Sequence, residues 1–167
     1  MRKNIEIHGI KSIEERSKQP FEKSTILISI GDTDAKPPML IHKPEHILRL
    51  EFEDVTLHEI REACDFPEDI MSSDEKLIEV LKDNDITVFS KKTAKKISSF
   101  VIKHFDNANT IICQCHYGQG RSAGCAAAIN EFYYGNGIDI FADERYSPNK
   151  LVYRLLIEAL RETNPVL

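Results

Sequence analysis

Cys115, Arg121 and Ser122 are the residues of this chain whose types and spacing could do chemistry together, in the stretch CHYGQGRS. Before them runs an apolar segment, Ile111, Ile112 and Cys113; after them comes an alanine-rich one, with Ala123, Ala126, Ala127 and Ala128, ending at Gly135. Read as buried strand, tight loop and helix, the stretch collects backbone N–H groups at the positive end of a helix, where an anion is stabilised. A helix N-terminus and a neighbouring Arg favour thiolate, which makes Cys115 a candidate nucleophile. Arg121 can grip two oxygens of an anion with its planar fork, a geometry Lys cannot reproduce. Backbone amides of His116, Tyr117, Gly118, Gln119, Gly120 and Arg121 would complete the cradle, with glycines suiting so tight a loop.

The elements that must position this loop follow from periodicity and punctuation. Ile5 and Ile7 alternate with polar residues as a short strand, and Ser12 with Glu15 suggests a capping box for a brief helix ending before Pro20. TILISI, from Thr25 to Ile30, is a strand buried on both faces, and GDTDAKPP after it is a loop. His46 to Phe52 alternates, with Leu48, Leu50 and Phe52 on one face, and Glu53 and Asp54 stand where that strand ends. Val55 to Asp85 reads as a partly helical excursion, interrupted at Pro67, in which Ser72 with Glu75 caps a helix through Leu81. Ser90 caps a further helix with Ala94, Ile97, Val101 and Phe105 as its buried stripe. Ser147 and Pro148 read as N-cap and first residue of a last helix, with Leu151, Leu155 and Ala159 inward and Pro165 past its end. Strands alternating with helices imply an α/β fold, a mostly parallel central sheet flanked by helices on both faces, with the site at the C-terminal edge of a strand.

The run CHYGQGRS resembles the Cys-x5-Arg signature loop of the protein tyrosine and dual-specificity phosphatases, matching at Cys115, Gly118, Arg121 and Ser122. With Gly at about one residue in fourteen and Arg and Ser each at roughly one in twenty, a given Cys acquires this pattern by chance about once in five thousand, so composition does not account for it. The wider order of elements, with an acidic pair after an alternating strand and a late Pro-Asn before a helix, is similar to small bacterial members of the dual-specificity group. That resemblance implies a metal-independent phosphomonoester hydrolase without cofactor, acting through a cysteinyl-phosphate. In it Ser122 would hydrogen-bond to the sulfur and ease its departure. It also implies an Asp on a separate loop that protonates the leaving oxygen; Asp54 is preferred, Asp85 is the alternative and Glu53 the fallback. Relatives usually carry His before the nucleophile, and this chain has Gln114. Two rival readings keep the anion loop: a non-catalytic phosphate-binding pseudophosphatase and a rhodanese-like sulfurtransferase. The substrate expected is a phosphorylated protein or a small phosphomonoester; the loop lacks the lysines of phosphoinositide-directed relatives.

Composition sets the outer bounds. The length of 167 residues predicts one compact domain, 1–167, and 41 % hydrophobic with 29 % charged residues is an ordinary globular balance. A net charge of −5 argues against nucleic acid or an acidic membrane as partner. No apolar run is long enough to span a bilayer and MRKNIEIHGIKS lacks a signal-peptide core, so the expected location is cytoplasmic, with the four cysteines reduced. Cys113, Cys115, Cys125 and His116 crowd together, yet zinc sites draw ligands from separated clusters, so no metal is expected and Cys113 and Cys125 are read as small core residues. Lys91, Lys92, Lys95 and Lys96 fit the solvent face of a helix.

Overall fold

A computed structural model describes residues 2–164. In chain order the elements are β1 (Asn4–His8), α1 (Ile10–Arg16), β2 (Thr25–Gly31), β3 (His46–Glu51), α2 (Leu57–Ala63), α3 (Glu68–Met71), α4 (Asp74–Asp83), α5 (Lys91–Phe105), β4 (Thr110–Gln114), α6 (Arg121–Tyr134), α7 (Ile138–Ala142) and α8 (Lys150–Thr163). The strands form one sheet in the order β1-β4-β2-β3, and every neighbouring pair is parallel.

Alternation along the central strands divides the core in two. Ile26, Ile28 and Ile30 of β2 join Ile111 and Cys113 of β4 in the large cluster, with Ala94, Ile97 and Val101 of α5, Ala126 and Ile129 of α6, and Leu151, Leu155 and Leu156 of α8. Leu27 and Ile112, cross-strand partners, point to the opposite face and meet Ile13 of α1, with Phe21 and Leu40 at the margin. Both faces are therefore covered, one by the long helices and the other by α1 and the chain around Leu40. Each fully buried aliphatic side chain contributes about 1.5–3 kcal/mol, so the long-helix face carries most of the stabilisation.

The helices follow their caps, and three of these lie elsewhere than the sequence suggests. α1 begins after Gly9 with no side-chain cap, because Ser12 instead bonds the His8 ring (Oγ to Nδ1, 2.6 Å). α4 is capped by Ser73, not Ser72, through the amide of Lys76. α8 is capped by Asn149, not Ser147: its Oδ1 accepts from the amides of Leu151 (3.0 Å) and Val152 (3.1 Å), and an Asx carbonyl two residues on from Ser147 does the same task with two bonds. The Pro165 predicted to follow α8 lies outside the described residues. Ser90 caps α5 as expected, and Lys91, Lys92, Lys95 and Lys96 are exposed on it. α2 carries a full capping box from Thr56 and Glu59.

The alanine-rich character of α6 is a packing requirement. The first ten residues of this helix are buried, and a Cβ on Gly124 would lie 2.6 Å from the carbonyl oxygen of Asn149. Small side chains let α6 lie directly between the sheet and α8, and Gly135 ends it in the left-handed conformation at φ 66°. Among the described residues no helix is long and apolar enough to cross a membrane.

Candidate active site

A parallel sheet brings all its strand C-termini to one edge, and each of the four delivers something there. β4 runs into the loop 115–120, whose first residue, Cys115, is buried with its Sγ 3.0 Å from the Oγ of Ser122 in the first turn of α6. β1 backs the loop: the amide of Cys115 donates to the carbonyl of His8 (3.1 Å), and the amide of Ile10 donates to that of His116 (3.0 Å). Gly118 takes φ 73°, and a Cβ on it would lie 2.5 Å from the Gly9 amide nitrogen, so both the conformation and the backing strand demand glycine. The carbonyls of Gln119 and Gly120 accept from the amides of Ser147 (2.9 Å) and Asn149 (3.0 Å), which tie the loop to the start of α8.

Past Cys115, those bonds use the loop's carbonyls and leave its amides. None of the backbone N–H groups from His116 to Arg121 donates to another group among the described residues. Six consecutive uncommitted donors at the mouth of a 14-residue helix are the makings of an anion cradle.

β2 and β3 supply the surroundings of Arg121, which is 3 % exposed. Its Nη1 donates to Oδ1 of Asp32 (2.7 Å), just past β2, and to the carbonyl of Phe52 (2.6 Å), just past β3. Its Nε is buried and without a hydrogen-bond partner among the described residues, 4.0 Å from Oδ2 of Asp54. The guanidinium is thus anchored by one nitrogen and keeps a donor in reserve. Asp54 lies directly against the loop, since a Cβ on Gly120 would sit 3.1 Å from its Cγ and closer still to Oδ2. Its Oδ1 accepts from Nδ2 of Asn149 (2.9 Å), so the residue that caps α8 also holds this carboxylate.

The remaining sequence candidates fall around this centre or away from it. Gln114 is buried, its Nε2 donating to the carbonyl of Cys115 (2.7 Å) and its Oε1 accepting from Ser29 (2.6 Å). His116 and Tyr117 are exposed and pack edge to face, 4.4 Å between ring centroids. Glu53 is turned toward the β2–β3 loop, where its Oε1 accepts from the Thr33 amide (3.3 Å). Asp85 is exposed in the turn after α4 at φ 61°, its amide bonded to the carbonyl of Lys82, and among the described residues no hydrogen bond joins it to the loop 115–121. Cys113 and Cys125 are buried; the hydrogen bond that the Cys113 thiol makes to Cys125, reinforced by burial, holds it well above its ordinary range. Burial lowers the Arg49 guanidinium below its usual value, with the nearby charge of Arg121 acting the same way against Glu51 and Asp32.

Asp32 and Asn149 are the site residues that sequence reasoning passed over. A signal for Asp32 existed: it follows a buried strand as Asp54 follows another, and parallel strands end at one edge. A cleft of about 680 Å³ opens beside Asp54, Gln119, Gly120 and Asn149 and reaches Arg61 and Arg154, which share Asp74. Among the described residues no group of three or more His, Cys, Asp or Glu side chains is placed to hold a metal ion.

No protein-family model matches the chain, and no curated protein matches it. Solved structures that the chain matches include a crystal structure of PTPMT1 in complex with PI(5)P, at 14 % identity and a TM-score of 0.46, and another of PTPMT1, at 14 % identity and a TM-score of 0.40. Each alignment covers 84 % of this chain and 78 % of the other.

Proposed function

We propose that the chain is a cysteine-dependent phosphomonoester hydrolase of the tyrosine or dual-specificity type, acting without metal or cofactor. The observation that carries this reading is the run of uncommitted amides from His116 to Arg121, set between a buried Cys115 and a buried Arg121 with a free Nε. A tetrahedral dianion presents several acceptor oxygens and no donors, which is what such a donor set complements.

In the first step the Sγ of Cys115 attacks phosphorus, the bond to the leaving oxygen breaks, and Asp54 delivers a proton to that oxygen. In the second, water attacks the cysteinyl-phosphate, Asp54 takes its proton, inorganic phosphate leaves, and the thiolate returns with a hydrogen bond from Ser122. Arg121 stays on the equatorial oxygens throughout, held in place by Asp32 and the Phe52 carbonyl. Asp54 is preferred over Asp85 and Glu53 because its carboxylate lies against Gly120 and Arg121.

Phosphate release from an aryl phosphate in the presence of EDTA tests the reading. Phosphate binding without turnover points to a pseudophosphatase, and thiocyanate formed from thiosulfate and cyanide points to a sulfurtransferase. Either outcome removes the hydrolase assignment.

A further inference from the structure

Gln114 stands where relatives of the loop carry His, and its side chain is committed at both ends. Nε2 donates to the carbonyl of Cys115 at 2.7 Å, and Oε1 accepts from the hydroxyl of Ser29 at 2.6 Å. That hydroxyl accepts in turn from Nη1 of Arg49 at 3.0 Å. The sheet register produces this row, because Ser29 of β2 is the cross-strand partner of Gln114 in β4 on one side and of Arg49 in β3 on the other. Three polar residues in line therefore cross three adjacent strands of the sheet.

The direction of the row is forced. A guanidinium can only donate, so the Ser29 oxygen accepts from it and its single proton goes to Gln114. The amide must then present Oε1 to Ser29 and Nε2 to the carbonyl. Every bond points toward Cys115, and hydrogen bonds aligned in this way polarise one another, more so where water is excluded. Arg49 is itself fixed, its Nη2 donating to the carbonyl of Ala35 at 3.1 Å in space that exists because residue 31 is glycine; a Cβ there would overlap that nitrogen.

We propose that Arg49, acting through Ser29 and Gln114, is a positioning residue for the nucleophile, fixing the Cys115 carbonyl from which the anion loop springs. The inference rests on the phosphatase reading of that loop. In this arrangement a neutral amide does the work of the usual imidazole, and the positive charge behind it comes from a neighbouring strand. The row ends on the Cys115–His116 peptide, whose N–H is only the first of the six cradle donors, so it should govern the chemical step more than anion affinity, which rests on five further amides and Arg121.

The test uses the full chain with Ser29→Ala, Gln114→Glu and Gln114→His, measuring kcat and KM on para-nitrophenyl phosphate, inorganic phosphate binding, and the rate of Cys115 alkylation by iodoacetamide. Gln114→Glu keeps the shape but sets an acceptor against a carbonyl, whereas Gln114→His keeps one donor and one acceptor. Ser29→Ala and Gln114→Glu should lower kcat about tenfold with KM and phosphate affinity within about twofold, while Gln114→His stays within about threefold of the native rate. Adding Arg49→Met to Ser29→Ala should cost nothing further, since the row is already cut. Native kcat in Ser29→Ala or Gln114→Glu overturns the proposal, as does a parallel loss of kcat, phosphate affinity and thermal midpoint, which is what a merely structural role gives. Alkylation of Cys115 needs no substrate and should slow in the same two variants. A native chain inert toward every phosphomonoester thus removes the phosphatase reading, while unslowed alkylation removes the positioning role.

Discussion

Gly120→Ala is the substitution that most sharply probes the assignment of the acid. The added methyl would lie 3.1 Å from Cγ and Oδ1 of Asp54 and inside contact distance of Oδ2. Backbone on either side is held by the bonds from Ser147 and Asn149, so the carboxylate is the part that yields. It is the far end of a flexible side chain, 42 % exposed beside an open cleft, so it can swing outward with little effect on folding. Relieving the overlap takes a shift of about 1 Å, and a misplacement of that size in a reacting group can cost about a hundredfold in rate. The loss should appear where a proton is needed. For phosphotyrosine, whose phenolate leaves poorly, kcat/KM is expected to fall about a hundredfold; for para-nitrophenyl phosphate, whose leaving group departs unaided, the fall should be several times smaller. Phosphate affinity and thermal midpoint, measured on the same samples, should change little. Asp54→Asn, which keeps an acceptor for Asn149, should reproduce the same discrimination, and Asp85→Asn should not. Equal losses on both substrates, or discrimination by Asp85→Asn in place of Asp54→Asn, would refute the reasoning.

Three further outcomes follow from the same geometry. Cys115→Ser should abolish turnover while calorimetry still registers phosphate binding, because the amides of 116–121 and Arg121 remain; equal loss of both would count against the nucleophile. Arg121→Lys should lower kcat/KM about a hundredfold, nearly as far as Arg121→Ala, since one ammonium cannot hold both Asp32 and the Phe52 carbonyl and still reach the anion; near-native kinetics would dismiss the grip. Tyr133, stacked on Phe105 at 3.5 Å between centroids, has its phenol pushed up to about 12 by burial. Its contribution is therefore complete below the ordinary tyrosine range and lost as pH rises through about 10 to 12, where the unfolded chain ionises first; with the ring half exposed this is about 1 kcal/mol. Tyr133→Phe should flatten that alkaline loss in denaturant titrations, and an unchanged slope would contradict it.

The linear order of residues was sufficient for what depends on neighbours in the chain. The strand, loop and helix of 110–134 were legible because an apolar run, two glycines and an alanine-rich segment impose them locally, and Cys115 and Ser122 meet across one loop and one helical turn. The buried stripe of α5 and its Ser90 cap were legible for the same reason. Caps were misjudged by one or two positions, at Ser72 and Ser147, because several hydroxyl and amide residues stand together there and the one used is chosen by where the helix docks: Asn149 serves α8 and Asp54 at once. What joins distant segments could not be read along the chain. Asp32 meets Arg121 across 89 positions and Ser29 meets Gln114 across 85, and both follow from strand order and register, which hydrogen bonding between strands and the apolar pairs Ile26 with Ile111 and Leu27 with Ile112 impose. Side-chain periodicity says which residues face a core, but it does not say which strand lies beside which, and that adjacency is what gives Arg121 its acidic partner and Gln114 its bond from Ser29.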